Sequence, residues 1–440
     1  MSLHQPQSRH KSRTSIWSKL SIEENEAAAL LLSSGLSFCV LCSFYILRPL
    51  RDETAILFGP SYVQYALSAT FLVTLAIVPI VGLLVSYVPR KLILPIVYIF
   101  FICNLLVFSA FLKFDQSNIW LSGAFTVWMN AFSLVSISFF WSFMADIWAA
   151  RQAERMYGFI ALGGTCGAFL GPVITQSLVG WVAPSQLMLV SAAFLATGLW
   201  FHWRLQRLKT STPHGQAEAP PDKAGILSGA LHVWRSPYLF RIALWTLSGE
   251  IFAVFFYLDQ IDELTRADMV QQERLVMLAR MESVVAVVTM GLEAFATSRL
   301  LRIFGVSWTL AIGSVWALMG MVVVHLTDSA ILSVAVLAGA RAIHNGITGP
   351  AMRVLYTIVD PEDKYRSQNF SDTAVVRGGN LLSVWLLNNA FRMLGTTTPI
   401  VLACGVPVAL LWGWLSLDLG RRYTQATSNA PFPGNGKDRL

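Results

Sequence analysis

Long stretches without charge recur along the whole chain. The first of them, Ala27 to Leu47, has 21 residues and no charged side chain. A helix of about 20 apolar residues is long enough to cross the roughly 30 Å hydrocarbon core of a bilayer. Only 13% of all residues are charged, against about 25% in an average soluble protein. We therefore expect an all-α membrane protein that crosses the bilayer many times.

Twelve spans are predicted from these stretches and the turn-forming residues between them. They lie at residues 27–50, 61–87, 92–112, 119–145, 156–181, 184–204, 236–258, 276–299, 305–326, 330–356, 370–394 and 398–417. Basic residues such as Arg90, Arg204 and Arg421 fall in alternate loops and in the last tail, and the other loops are poor in Lys and Arg. Because cytoplasmic loops carry an excess of these residues, both termini are predicted to be cytoplasmic.

A polar segment at 207–235, rich in proline, divides the chain. It separates a predicted six-helix bundle at 27–206 from another at 236–420, with tails at 1–26 and 421–440. Arg90 and Arg299 occupy corresponding places in the two halves, as do Arg155 and Arg366. Such duplication is typical of secondary transporters.

Composition and motifs argue against several other classes. The net charge of +7 comes from basic residues beside span ends, which favours membrane orientation over nucleic-acid binding. No phosphate-binding G-x-x-x-x-G-K-[ST] and no H-E-x-x-H motif is present, so we expect no enzyme activity. Cys39-x-x-Cys42 has metal-site spacing but lies within an apolar run without further ligands, so no metal or cofactor is expected.

Four charges interrupt the apolar sequence at the end of the first span. Arg48, Arg51, Asp52 and Glu53 fall within six positions, and apolar residues resume after them. A charge in hydrocarbon costs at least about 2.5 kcal/mol, so such residues usually face a cavity or a partner. Pro49 should disturb the helix; if the helix continues, Arg48 and Asp52 are four apart and can pair. The alternatives are an interfacial cap and a solute cavity, and the resumed apolar run favours the cavity.

Further polar groups occur within later spans. They are Glu250 in span seven, Arg280, Glu282 and Glu293 in or beside span eight, Arg341, His344 and Arg353 in span ten, and Asp372 and Arg377 in span eleven. Each could belong to a buried pair that only holds helices together. Collectively they predict a polar central pathway. His344 is interpreted as a helix-packing residue rather than a proton relay.

Three glycines in span five, Gly163, Gly167 and Gly171, are spaced by four residues. They therefore share one face of a helix, which predicts close helix packing or room for a gate to slide.

Several segments resemble the ATP/ADP translocase (nucleotide transporter) family, in particular bacterial members related to the major facilitator architecture. They are Y-I-L-R-P-L-R-D-E at 45–53, W-S-F-M-A-D-I-W at 141–148, G-F-I-A-L-G-G-T-C-G-A-F-L-G-P at 158–172, Glu273 to Val306, and Y-R-S-Q-N-F-S-D-T-A-V-V-R-G-G-N at 365–380. The resemblance implies two six-helix bundles around a central cavity in a bacterial inner membrane, with alternating access. It also implies solute handling by Arg51, Asp52, Glu250, Asp372 and Arg377.

The full candidate set combines this resemblance with the embedded charges. The solute-binding candidates are Arg48, Arg51, Asp52, Glu250, Glu282, Arg341, Asp372, Arg377 and Asn380, and the gating candidates are Arg90, Asp146, Arg155, Gly163, Gly167, Arg299 and Arg302.

The chain departs from the nucleotide exchangers at informative positions. They usually have lysine at the positions of Arg51 and Gln368, and an acidic residue at that of Asn380. In the loop after span two, Ser86 and Pro89 stand where the major facilitator gating loop has aspartate and glycine.

The first hypothesis for the function is a secondary transporter that moves a charged organic solute by alternating access. Its solute is a nucleotide or another phosphorylated anion moved by exchange, or a siderophore, peptide or drug moved by proton coupling, with Glu250, Glu282 and Asp372 as proton carriers. The second hypothesis is a membrane scaffold or sensor without transport. A monomer surrounded by lipid is expected.

Overall fold

The computed structural model describes residues 24–114, 118–148, 150–209, 233–267, 269–327, 329–359, 367–368, 370–394 and 398–429. Secondary structure in these ranges is helical, as the apolar sequence predicts. A backbone in hydrocarbon must satisfy its own hydrogen bonds, and a helix does so within one segment.

The membrane-crossing helices are numbered in chain order. They are α1 (24–58) and α2 (60–87), which are the two arms of the helix Glu24–Tyr87, then α3 (Arg90–Phe114), α4 (Ile119–Ile147), α5 (Ala150–Leu178), α6 (Pro184–Lys209), α7 (Pro237–Arg266), α8 (Gln271–Ile303), α9 (Gly305–Leu326), α10 (Ala330–Ile358), α11 (Val376–Leu394) and α12 (Thr398–Asn429).

The break between α1 and α2 lies at Gly59, between the predicted spans 27–50 and 61–87. Gly59 has φ 78° and ψ −175°, a conformation that side chains with a Cβ rarely adopt. Without this break, a helix of 64 residues would extend about 96 Å, three times the thickness of the hydrocarbon core.

Ten of the described helices are long and apolar enough to span a membrane, with α1 and α2 counted as one. The kink at Gly59 makes two spans of that helix, and α11 completes the twelve. α12 continues to Asn429, past the predicted end of its span.

Three π-helical turns occur in the second half of the chain. Leu292–Ala296 lies within α8, His344–Thr348 lies within α10, and Ser371–Val375 leads into α11. Each π turn takes in an extra residue and so rotates the residues beyond it around the helix.

Two buried apolar clusters define two six-helix halves. We call α1–α6 the N-half and α7–α12 the C-half. Most of the first cluster comes from the N-half, around Phe125, Met129 and Phe132, and most of the second from the C-half, around Trp245 and Phe256. Each half also contributes a few residues to the cluster of the other half. Buried apolar residues between Ala55 and Ala66, around the kink, pack with the C-half, and Leu275 of α8 packs with the N-half.

The bundle has two ends. At the Gly59 end, α1 turns into α2 and α7 is followed by α8. The termini end contains the start of α1 and the end of α12. It also contains the end of α6 and the start of α7, which lie on either side of the segment 210–232. Helix direction therefore places residues 48–58 and 271–282 toward the Gly59 end.

Candidate functional site

Arg51 and Asp52 form the first part of a central charge cluster. α1 remains helical through Pro49, so the expected disturbance is absent. The expected pairing of Arg48 with Asp52 is also wrong. Asp52 pairs with its neighbour instead: Arg51 Nη2 lies 2.6 Å and Nε 3.0 Å from Asp52 Oδ1. Arg51 Nη1 also donates to Asn130 Oδ1 of α4 at 3.4 Å.

Arg48 points to the other half of the molecule. Its Nε lies 3.2 Å from Oε1 of Glu282 on α8, and its guanidinium carbon lies 5.5 Å from the centre of the Tyr45 ring. The same Glu282 oxygen accepts a hydrogen bond from Arg341 Nη1 of α10. Glu282 therefore joins α1, α8 and α10 through a single carboxylate.

Tyr257 of α7 connects the two parts of this cluster. Its hydroxyl donates to Asp52 Oδ1 at 3.1 Å. We call Arg48, Arg51, Asp52, Tyr257, Glu282 and Arg341 the central network. The sequence analysis did not find Tyr257, because a tyrosine in an aromatic stretch such as Phe255-Phe256-Tyr257 is indistinguishable from a packing residue.

The arginines and the carboxylates of the central network differ in exposure. The side chains of Arg48, Arg51 and Arg341 are 15–19% exposed, whereas those of Asp52 and Glu282 are 0–2% exposed. Three cations face two anions, which leaves one positive charge uncompensated. Asp52 Oδ2 and Glu282 Oε2 have no hydrogen-bond partner among the described residues. A solute that approaches the network therefore meets guanidinium groups before it meets carboxylates.

A second ion pair closes the Gly59 end. Arg274 of α8 donates from Nε and Nη2 to the carboxylate of Glu53 on α1, with N–O distances of 2.7–3.1 Å. Its Nη1 donates to the carbonyl of Met269 at 2.6 Å. The sequence analysis left Arg274 out. Its position offers a signal, because arginine is disfavoured at the end of a span that faces away from the cytoplasm.

Further polar contacts between the halves cluster toward the Gly59 end. They are Thr265 Oγ1 to the carbonyl of Ile56 at 3.2 Å, Gln176 Nε2 to Ser283 Oγ at 3.0 Å, Trp385 Nε1 to Ser68 Oγ at 2.9 Å, and Asn388 Nδ2 to Gln64 Oε1. They join α1 to α7, α5 to α8, and α2 to α11. The Gly59 end is thus held shut by both halves.

Glu250 and Arg377 make no described hydrogen bond to the central network, although Arg377 interacts electrostatically with Arg51. The Glu250 and Arg377 side chains interact electrostatically between α7 and α11. Gly379 of α11 packs against Glu250, since a Cβ added to Gly379 would lie 3.4 Å from Glu250 Cβ. Asn380 is half-buried on the same helix. Asp372 lies in the π turn before α11, and its side chain is outside the described residues. The other solute candidates, Arg48, Arg51, Asp52, Glu282 and Arg341, meet in one place.

The glycines of α5 lie directly on α1, as the close-packing interpretation predicts. A Cβ on Gly163 would lie 2.5 Å from the carbonyl oxygen of Ser34, and one on Gly167 would lie 2.3 Å from that of Phe38. Gly171 meets the carbonyl oxygen of Cys42 at 2.8 Å. This contact holds the charged segment of α1 against α5.

The charged gating candidates lie at the termini end. Arg90 Nη1 and Asp146 Oδ1 are 3.3 Å apart and exposed. Arg155 Nη2 lies 3.4 Å from Glu26, which also accepts from Gln152 at 2.6 Å. Glu26 is buried, although the sequence placed it in the tail.

Two further arginines and a histidine belong to the C-half. Arg299 and Arg302 are exposed on α8, and Arg302 Nε donates to the carbonyl of Ser298 at 3.3 Å. His344 is exposed at the start of its π turn. Its interpretation as a helix-packing residue is therefore wrong.

The twelve helices in two halves, joined around a buried charge network, invite comparison with known transporters. The sequence profile of the Major Facilitator Superfamily matches residues 30–371. The chain belongs to the Major Facilitator Superfamily. Its members are transporters, so the family indicates a transporter rather than an enzyme. These comparisons do not confirm finer membership in the ATP/ADP translocase family, and no curated protein matches the chain.

Solved structures of other Major Facilitator proteins share the fold. The nucleoside transporter NupG is 14% identical, with 92% of this chain and 99% of that one covered and a TM-score of 0.59. A bacterial homologue of the iron transporter ferroportin in the inward-facing state is 12% identical, with 89% and 98% covered and a TM-score of 0.61. A bacterial homologue of the human lysosomal transporter Spinster, inward-facing and unoccupied, is 15% identical, with 92% and 96% covered and a TM-score of 0.56. At these identities the likeness concerns the fold alone.

Proposed function

We propose that this Major Facilitator protein carries an organic anion, which binds to the guanidinium groups of Arg48, Arg51 and Arg341. The observation that supports this most strongly is the exposure of the central network. The arginine side chains are 15–19% exposed and the carboxylates 0–2%. Arginine presents a planar set of donors that matches the oxygens of a phosphate or carboxylate.

The charge balance of the central network supports an anionic ligand. Three arginines face Asp52 and Glu282, so one positive charge has no counterpart. Burial of an unpaired charge is costly, and an anionic group would remove that cost. The unpartnered oxygens of Asp52 and Glu282 are buried, so the arginine donors are the groups that a solute contacts. A phosphorylated or carboxylated solute fits both features.

Nucleotide exchange is the specific form that the ATP/ADP translocase resemblance suggests. Arg51 replaces the lysine of that family and keeps the positive charge, whereas Gln368 loses one. A nucleotide carries several phosphate oxygens, which match the guanidinium donors of the three arginines. The structural likeness to the nucleoside transporter NupG is compatible with this proposal.

We further propose that the chain lies in a bacterial inner membrane with both termini in the cytoplasm. The support is the excess of arginine and lysine at the termini end. With this orientation, the contacts that hold the Gly59 end shut close the outer side. The conformation is then inward-facing, the state in which the Spinster and ferroportin homologues were solved.

A second candidate is proton-coupled transport, and the pair of Glu250 and Arg377 favours it. They interact electrostatically, but the described residues include no hydrogen bond between them. A carboxylate held in this way can accept a proton without the loss of an ion-pair hydrogen bond. Transport driven by a pH gradient alone would identify this candidate.

The test is transport in liposomes that contain the purified protein. Uptake of labelled ATP, ADP and orthophosphate is measured with and without internal nucleotide, and with an imposed pH gradient. We expect uptake that needs internal anion and falls by about tenfold or more in R51Q and R341Q, because hydrogen bonds to charged groups contribute about 1.5–3 kcal/mol each.

Matched variants separate binding from folding. R280Q removes an exposed arginine two residues from Glu282 and should leave uptake unchanged. R51K keeps the charge beside the buried Asp52 and should retain part of the uptake. Equal uptake by R51Q, R341Q and R280Q would overturn the proposed anion site.

A further inference from the structure

The π turn of α10 determines which way Arg353 faces. Arg341 and Arg353 are twelve positions apart, and in a regular helix they would point about 120° apart. The π turn His344–Thr348 lies between them. Its extra residue turns the helix back by about 100°, which leaves about 20° between the two arginines. Arg353 therefore shares the face of α10 that carries Arg341, one level closer to the termini end.

α8 presents a matching pair of carboxylates. Glu282 and Glu293 are eleven positions apart, so they point within about 20° of one another on a regular helix. Because Glu282 contacts Arg48 and Arg341, the face that carries both glutamates points to the centre of the protein. α8 and α10 thus bring together two acid–arginine levels, Glu282 with Arg341 and Glu293 with Arg353.

Packing between the two π turns locks this register. A Cβ on Gly346 would lie 2.8 Å from Leu292 Cβ and 3.2 Å from the carbonyl oxygen of Thr289. The hydroxyl of Thr297 is hydrogen-bonded to the carbonyl of Gly346. The bulged segments of α8 and α10 therefore sit on one another, and neither can slide without the loss of this contact.

The two levels differ in what they offer to a ligand. Glu282 and Arg341 form a buried ion pair. Glu293, His344 and Arg353 are exposed, and Arg353 interacts electrostatically with the other two. Within the described residues, the Arg353 guanidinium donates no hydrogen bond. Its donors are therefore available to an anion.

We infer that Arg353, with His344 and Glu293 beside it, forms a second anion-binding site between the termini end and the central network. This inference rests on the proposed function for its ligand, an organic anion that carries a phosphate or carboxylate. The arginine attracts the anion, and the nearby Glu293 carboxylate keeps the binding weak, so that the anion moves on to Arg341. His344 adds a donor that faces the same ligand.

Charge-selective thiol labelling tests this site without any need for transport. The exposed cysteines Cys103, Cys166 and Cys404 are replaced by serine, and the exposed Asn345 is replaced by cysteine as the reporter. Its rates of modification by an anionic and a cationic methanethiosulfonate reagent are compared. We expect R353Q to lower the ratio of the anionic to the cationic rate by about fivefold, and E293Q to raise this ratio. The reason is that a change of one unit charge near the reporter changes the local electrostatic potential, which acts in opposite directions on the two reagents.

The control is R302Q, which removes another exposed arginine of the termini end. It should leave the ratio unchanged. Orthophosphate should slow the anionic reagent in the reporter protein and should not do so in R353Q. The inference would be overturned if R353Q left the ratio unchanged or if R302Q changed the ratio as much as R353Q does. It would also be overturned if orthophosphate still slowed the anionic reagent in R353Q.

The outcomes also separate this inference from the proposed function. Labelling that depends on Arg353 in a protein without anion flux would refute the proposed function and support the site. If anion flux depends on Arg51 and Arg341 but the labelling ratio is the same with and without Arg353, only the second site is refuted.

Discussion

In the N-half, three glycines of α5 lie along the backbone of α1, whereas in the C-half α8 and α10 meet at paired π turns, through one glycine and a threonine hydroxyl. Gly167 approaches the carbonyl oxygen of Phe38 and the amide nitrogen of Cys42. Gly346 approaches Cβ of Leu292 and the carbonyl oxygen of Thr289. None of these atoms can move aside singly, because rotamer changes do not move a Cβ atom. Both contacts are therefore rigid: the first sets how closely α5 lies on α1, and the second sets which residues face the centre.

The two halves also differ in how their charged residues are spaced along the helices. α1 brings four charged residues to the centre within six positions, so a small shift would misplace all of them. α8 and α10 each carry charges at two levels, and the π turn aligns those of α10. The N-half thus holds one dense cluster, and the C-half extends a path toward the termini end.

The largest effect is expected where backbone meets backbone. G167A would place its Cβ 2.3 Å from the carbonyl oxygen of Phe38, so α1 and α5 must separate. We expect a loss of about 3 kcal/mol or a failure to fold, at the upper end of overpacking effects. G158A on the same helix meets nothing within 4 Å and should be neutral or slightly stabilising, because alanine favours helix over glycine. Thermal unfolding in detergent compares them, and equal midpoints would contradict the backbone contact.

A smaller effect is expected where the two halves meet. E53Q removes the negative charge that pairs with Arg274 and leaves one amide oxygen as the acceptor in place of the carboxylate, so closure of the Gly59 end loses about 2 kcal/mol, typical of hydrogen bonds between charged groups. Spin labels at Leu57 and Gln272, exposed on α1 and α8, should report a larger distance. D262N, which breaks an exposed ion pair within α7, should leave that distance unchanged. The same distance in wild type and E53Q would exclude Glu53 from the closure.

The smallest effect is expected at the contact between the π turns. T297V removes a hydroxyl that is hydrogen-bonded to Gly346 across α8 and α10, at a cost of about 1 kcal/mol. T309V removes a buried hydroxyl that donates only to the carbonyl of Gly305 four residues earlier in α9 and should cost less. Unfolding midpoints measure both. A larger loss in T309V would show that the π turns are held by packing rather than by this hydrogen bond.

Much of the central site could be anticipated from the sequence because charges are conspicuous in apolar surroundings. Arg48, Arg51, Asp52, Glu282 and Arg341 were all candidates. Their partners were less predictable. Arg48 is four positions from Asp52, but it contacts Glu282, which is 234 positions away. Tyr257 and Arg274 carry residue types that also serve packing or helix ends, so the sequence did not distinguish them.

The sequence by itself determined the helical fold, the number of spans and the division between the first two spans. Hydrocarbon excludes unpaired backbone groups and isolated charges, so every crossing segment must be an apolar helix that its own residues specify. Only the tertiary structure decided the ion-pair partners, the closed Gly59 end and the π turn that aligns Arg353 with Arg341. These depend on contacts between segments far apart in the chain, where the geometry of one helix selects the neighbour of another.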